Sequence, residues 1–131
     1  MDTSKEYLEM CQGAKDVQSL WEPSCGDFCV DMGDVWILNP DNKAYVQMVR
    51  HKDTWLPRQD QLQEMIGGWP SAGFIGDWRE WLGNVYGFNY GNKPNGHLHI
   101  FTSGEQLWLA FVMQEVYNKK WLDGEWRGEC Q

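Results

Sequence analysis

The chain has 131 residues, 42% of them hydrophobic, and a formal charge of −8 from 11 basic and 19 acidic side chains. That length buries one core of useful size and fits a single domain spanning residues 1–131. It contains no apolar run of about 18 residues, so no membrane-spanning helix is expected, and no basic stripe, so direct nucleic-acid binding is not expected from a chain whose field repels phosphate.

The charge is uneven. Residues 1–34 carry Asp2, Glu6, Glu9, Asp16, Glu22, Asp27, Asp31 and Asp34 against Lys5 and Lys15, a local net of −6, while the remainder is nearly balanced. The cysteines are Cys11, Cys25, Cys29 and Cys130, and the opening "MDTSKEYLEM" has no apolar signal stretch. Both features suit a cytoplasmic protein with reduced thiols. Nine Trp, five Tyr and five Phe are many for this length. Each buried aromatic removes roughly 150–250 Å² from water, so an interior this small is expected to leave several rings at the surface, where they mark binding.

In chain order, "TSKEYLEMCQGAKDVQSLW" reads as a helix. Thr3 and Glu6 have capping-box spacing, and Tyr7, Cys11, Ala14, Val17 and Trp21 form one apolar stripe. The pattern then changes period. Phe28, Val30 and Met32 alternate against Asp27, Cys29 and Asp31, a strand with one wet face, and Met32-Gly33 suits a tight turn. Val35 to Leu38 is apolar on both faces and reads as a central strand containing a core Trp36; Asn39 to Asn42 is a turn, and Lys43 to Val49 a third strand.

Helical spacing returns in "PRQDQLQEMIGGW", with Leu62, Met65, Ile66 and Trp69 on one side, Pro57 at the start and Gly67-Gly68 as the stop. A weaker helix follows over residues 71–87, then the turn-rich loop Gly87 to Gly96 and a short strand at "HLHIF". "SGEQLWLAFVMQEVYNKK" is the best helix: Ser103 and Gln106 form a capping-box pair, Leu107 to Met113 is apolar all round, and Lys119 and Lys120 suit a helix C-terminus. "WLDGEW" reads as a hairpin about Asp123-Gly124. The architecture expected is α+β: a three-stranded antiparallel meander packed against an N-terminal helix and a helical C-terminal half.

Chemistry is sparse. No nucleophile elbow, zinc-protease helix, P-loop or dinucleotide fingerprint occurs, so the reading leans away from an enzyme and expects no cofactor. Cys25, Cys29, His97 and His99 are the residues with zinc-compatible donors, but on an extended strand positions four apart lie roughly 13 Å from each other, and only a bend at Gly26 would bring the thiols together. No metal is expected. The stretch "WLPRQDQLQEM" is mostly explained as a well-started amphipathic helix. Trp55, Arg58, Gln59, Asp60, Gln63 and Trp69 also place donors, acceptors and charge beside aromatic rings, the composition of a partner-binding surface. Trp55, Trp69, Trp121 and Trp126 border turns or chain ends and are the rings expected to be partly exposed.

At "KEYLEMC", "GDFCVD", "WLPRQDQLQEM" and "EQLWLAFVMQEVYNKKWLDGEW" the chain resembles a group of small uncharacterised proteins encoded in phages and prophages of Gram-positive bacteria. The four segments cover 46 of the 131 positions. The resemblance implies a setting, the cytoplasm of a bacterial host, and no activity. The expectation is therefore an accessory protein that binds a host or phage protein, with a homo-oligomer also compatible. Two alternatives remain open: a small-molecule enzyme or ligand-binding site built from Phe88, Tyr90, His97 and His99, and an acidic mimic of nucleic acid that blocks a DNA-binding protein.

Overall fold

A computed structural model describes residues 1–38, 53–66 and 101–128 of the chain. The expected segments at Lys43–Val49, the helix over 71–87, the Gly87–Gly96 loop and the "HLHI" strand lie outside the described residues, as do Trp69, Phe88, Tyr90, His97 and His99. The described elements are α1 (Lys5–Gly13), α2 (Lys15–Gln18), β1 (Phe28–Asp31), β2 (Asp34–Ile37), β3 (Thr54–Leu56), α3 (Gln59–Glu64), α4 (Gly104–Tyr117), β4 (Lys119–Leu122) and β5 (Glu125–Gly128). The fold is α+β, with a three-stranded antiparallel sheet, an N-terminal helical segment, and a C-terminal helix followed by a two-stranded hairpin.

The first helix is capped one residue later than the Thr3 spacing suggests. Ser4 Oγ accepts from the Tyr7 backbone N–H (3.2 Å), and Asp2 Oδ1 accepts from the Ser4 N–H (2.8 Å). The helix breaks at Ala14, whose ψ of 65° leaves the helical region, and resumes as α2. The apolar stripe survives this break: Tyr7, Cys11, Ala14, Val17 and Trp21 are all buried.

The strand order is β2-β1-β3, so β1 is central and β2 lies at an edge of the described sheet. This corrects the reading of Val35–Leu38 as the central strand. Val35, Trp36 and Ile37 are exposed, and only Leu38, just beyond β2, is buried. The parity of β1 is also corrected. Asp27 and Cys29 are buried rather than wet, while Met32 is 96% exposed at the hairpin tip. A central strand is covered on both faces, so period-two alternation is a poor guide to it. Cys29 sits opposite Trp36 on one side and Trp55 on the other, which puts the three on one face.

The two expected tight turns form. Met32 and Gly33 have φ of 52° and 85°, and Asp123 and Gly124 have 53° and 80°. Two successive positive φ values are the signature of the type I′ hairpin, whose twist matches that of the strands it joins.

Helix α4 anchors the core. Trp108 to Met113 are buried without interruption, as the all-round apolar run predicts. Ser103 Oγ caps it by accepting from the Gln106 N–H at 3.2 Å. Gln106 is itself fully buried. Its Oε1 accepts from the Thr102 N–H, and its amide donates to Asp2 Oδ2 (2.8 Å) and Thr102 Oγ1 (3.0 Å). The Ser103 hydroxyl also donates to Asp2 Oδ2 at 2.5 Å, so the start of the chain is fastened to the start of α4. Asn118, left-handed at φ 57°, ends the helix. The two lysines expected at that terminus belong instead to β4, and Lys119 Nζ reaches Asp16 Oδ2 at 2.6 Å, tying the hairpin to α2.

The C-terminal hairpin lays its indoles on α1. Trp121 is buried and Trp126 half-buried, their ring centroids 5.0 Å apart. Trp126 Nε1–H donates to the Met10 carbonyl at 2.8 Å. Gly13 gives the ring room, since a Cβ there would sit a tight 3.1 Å from Trp126 Cδ1. The expectation that Trp121 is partly exposed is thereby corrected: the hairpin folds back onto the helix rather than projecting from it.

Candidate functional site

The stretch "WLPRQDQLQEM" supplies β3 and α3, and the structure gives most of its polar residues internal partners. Trp55 is buried at 4% exposure, which corrects its assignment to an open partner-binding surface. Its ring stacks on Trp21, with centroids 6.1 Å apart and planes within 4°. Gln18 completes the strand. Its side-chain amide donates to the Trp55 carbonyl and its Oε1 accepts from the Trp55 N–H, both at 2.8 Å. A side-chain amide has the donor and acceptor of a peptide group, so Gln18 stands in for a neighbouring strand at that position of β3.

Arg58 precedes α3. Its backbone N–H donates to Gln61 Oε1 (2.8 Å), satisfying one of the amides a helix start leaves free. Its guanidinium donates from Nη1 to the Gly26 carbonyl (2.8 Å) and to Asp27 Oδ1 (3.4 Å), and from Nε to Asp60 Oδ1 (3.2 Å). Asp60 is exposed, so that last pair adds little. Gln59 lies against the start of α4, its Oε1 2.6 Å from where a Cβ on Gly104 would be. Gln63 is half-buried.

Asp27 is the centre of this arrangement, although the alternation in the sequence placed it on the wet face of its strand. It is 1% exposed. Oδ2 accepts from Trp21 Nε1–H (3.0 Å) and from the Ser24 N–H (2.9 Å); Oδ1 accepts from the Gln61 amide (2.8 Å) and from Arg58. Four donors occupy both oxygens, and Arg58 supplies a countercharge, which is how a buried carboxylate is tolerated. The signal available in the sequence was Gly26, whose φ of +91° turns the chain so that Asp27 faces inward.

Above this network lies a cleft of about 290 Å³, lined by Leu20, Trp21, Glu22, Ser24, Asp27, Trp55, Gln61, Glu64 and Met65. Trp21 and Trp55 are almost fully covered, Leu20 is half exposed, and Glu22 and Glu64 are exposed at its rim. Trp55 Nε1–H is buried and has no acceptor among the described residues. An unsatisfied buried donor costs about 1–3 kcal/mol.

The two buried thiols and the buried phenol nearby are held protonated. Burial, reinforced by the charges of Asp53, Asp31 and Asp27, pushes the Cys29 thiol up to about 11. Its Sγ lies 3.9 Å from Asp53 Oδ2. Burial likewise raises the Cys11 thiol and the Tyr7 phenol, whose hydroxyl donates to the Pro57 carbonyl at 2.6 Å. A thiol held protonated is a poor nucleophile and a poor metal ligand. Cys25 is exposed in the turn before β1 while Cys29 is buried within it, and among the described residues no group of three His, Cys, Asp or Glu side chains is placed to hold a metal ion. No helix among them is long and apolar enough to cross a membrane.

A second feature is the β1–β2 hairpin. Met32, Val35, Trp36 and Ile37 are exposed together, bordered by Asp31 and Asp34, which face each other across the strands. Trp36, expected in the core, is 49% exposed because β2 lies at the edge of the described sheet. The fold and these two features define a small α+β protein with a polar-based cleft and an exposed apolar hairpin. Comparison with protein-family models, with curated proteins and with solved structures found no match.

Proposed function

We propose that the chain is an accessory protein of phage or prophage origin, working in the cytoplasm of a bacterial host by binding a host or phage protein. The observation that carries the reading is the exposed apolar run on the β1–β2 hairpin, Met32, Val35, Trp36 and Ile37, set within the most acidic third of the chain. Val35 and Ile37 on one face of β2 and Trp36 on the other leave both faces of this strand apolar and exposed, and apolar surface rimmed by charge is a mark of protein contacts. The acidic surround would steer a basic partner and the rings would hold it. This moves the contact surface from Trp55 and the polar face of α3 to β2, because Trp55 and Arg58 are occupied internally.

The test is affinity capture from host extract by the tagged full chain, run beside the Trp36→Ser/Ile37→Thr variant. Both substitutions keep a strand-compatible side chain and remove apolar area at exposed positions, so the fold is expected to persist. The reading requires a protein retained by the wild type, released at raised salt, and lost by the variant. Equal recovery by both chains would overturn the assignment of the surface.

A further inference from the structure

The cleft over the Asp27 network has a charge pattern that its own residues leave uncompensated. Asp27, at its base, is saturated by four donors and has no lone pair left for a ligand. Arg58 is committed to Asp27, the Gly26 carbonyl and Asp60. Glu22 and Glu64 line the same opening, and neither makes an ion pair among the described residues. The apolar part of the lining comes from Leu20, Met65 and the nearly covered rings of Trp21 and Trp55, beside Ser24 and Gln61.

A partly apolar cleft with two exposed carboxylates in its lining suits a long aliphatic stem that ends in a cation, because the stem is desolvated while the charge stays in water. From this arrangement we infer that the cleft receives an arginine side chain, its stem between Leu20 and Met65 and its guanidinium on Glu22 and Glu64. Arginine fits better than lysine. Its planar head presents five donors and serves two carboxylates at once, whereas an ammonium is a compact, strongly hydrated point charge. The inference rests on the proposed function in one respect, that the arginine belongs to a bound protein; the site itself stands on the cleft.

The experiment uses the full-length chain, isotopically labelled, titrated with blocked arginine (N-acetyl-arginine-methylamide) and with the matching citrulline compound, which has the same shape without the charge. The readout is the indole N–H signals of Trp21 and Trp55, assigned with Trp→Phe variants. The expected result is a saturable shift with arginine, at least about tenfold weaker binding of citrulline, and a similar loss in Glu22→Gln/Glu64→Gln, since about 1.4 kcal/mol of charge interaction corresponds to tenfold. Both glutamates are exposed, so the variant's thermal midpoint serves as the check that it is folded. Equal binding of the two compounds, binding undiminished in the double variant, or no indole shift would each overturn the inference. The outcome is separable from the hairpin test. Arginine binding with unchanged capture by Trp36→Ser/Ile37→Thr leaves the cleft standing and removes the hairpin; the reverse removes the cleft alone.

Discussion

Asp27→Asn removes one charge from the centre of the fold and turns one acceptor into a donor. In either orientation the new amide NH₂ meets two donors. It faces the Trp21 indole and the Ser24 N–H if it replaces Oδ2, or the Gln61 amide and Arg58 if it replaces Oδ1. Gln61 has no free rotation to relieve this, because its Oε1 accepts from the Arg58 N–H. Two donors left unsatisfied in a buried or half-buried setting cost about 1–3 kcal/mol each. The lost Asp27–Arg58 attraction adds less, since the Arg58 side chain is 33% exposed and the contact is long at 3.4 Å. The total expected is about 2–6 kcal/mol, a large share of the roughly 5–15 kcal/mol that holds a domain of this kind together. With a urea m-value of about 1–3 kcal/mol/M, the unfolding midpoint should fall by at least about 0.7 M. Urea titration followed by tryptophan fluorescence, where Trp21 reports directly, measures it. A loss below about 1 kcal/mol would refute the claim that both oxygens are held by internal donors.

Three further outcomes are expected. Gln18→Leu fills similar space but strips the Trp55 backbone of both its partners, so a loss of about 1–3 kcal/mol and faster hydrogen exchange at the Trp55 amide should follow, with native-like exchange there counting against the strand-mimic role. Acid should weaken the wild type through Asp2. Burial tends to raise its carboxyl, but hydrogen bonds from Ser103, Ser4 and Gln106 prevail and hold it below its ordinary value of 3.8. A carboxyl lowered in the folded state contributes stability above its unfolded value, and this is lost as pH falls from about 4 through the folded value. Asp2→Asn should therefore flatten stability against pH below pH 4 relative to wild type, measured by urea midpoints between pH 2.5 and 6. Thiol alkylation at pH 8, followed by peptide mapping, should modify exposed Cys25 well before Cys29, held near 11, and reach buried Cys11 only on unfolding.

The amino-acid sequence by itself determined what depends on neighbours a few residues away. The stripe from Tyr7 to Trp21, the two type I′ turns, the Ser103 cap and the wholly buried middle of α4 all follow from local periodicity, backbone sterics and hydrogen bonds spanning three or four positions. The Lys119–Lys120 assignment failed within that same range, because the left-handed Asn118 stops the helix at Tyr117, three residues before Lys120. Tertiary structure alone decided which strand is central, and with it the burial of Trp55 and the exposure of Trp36. A β-strand's apolar faces do not state which neighbours will cover them. It also decided that Gln18 would meet Trp55 from 37 residues away and that Arg58 would meet Asp27 from 31, so that residues suited to recognising a partner instead hold the base of a cleft. Polar side chains are chosen by whichever group the fold brings within about 3 Å, and contacts between residues so far apart in the chain leave no periodic trace in it.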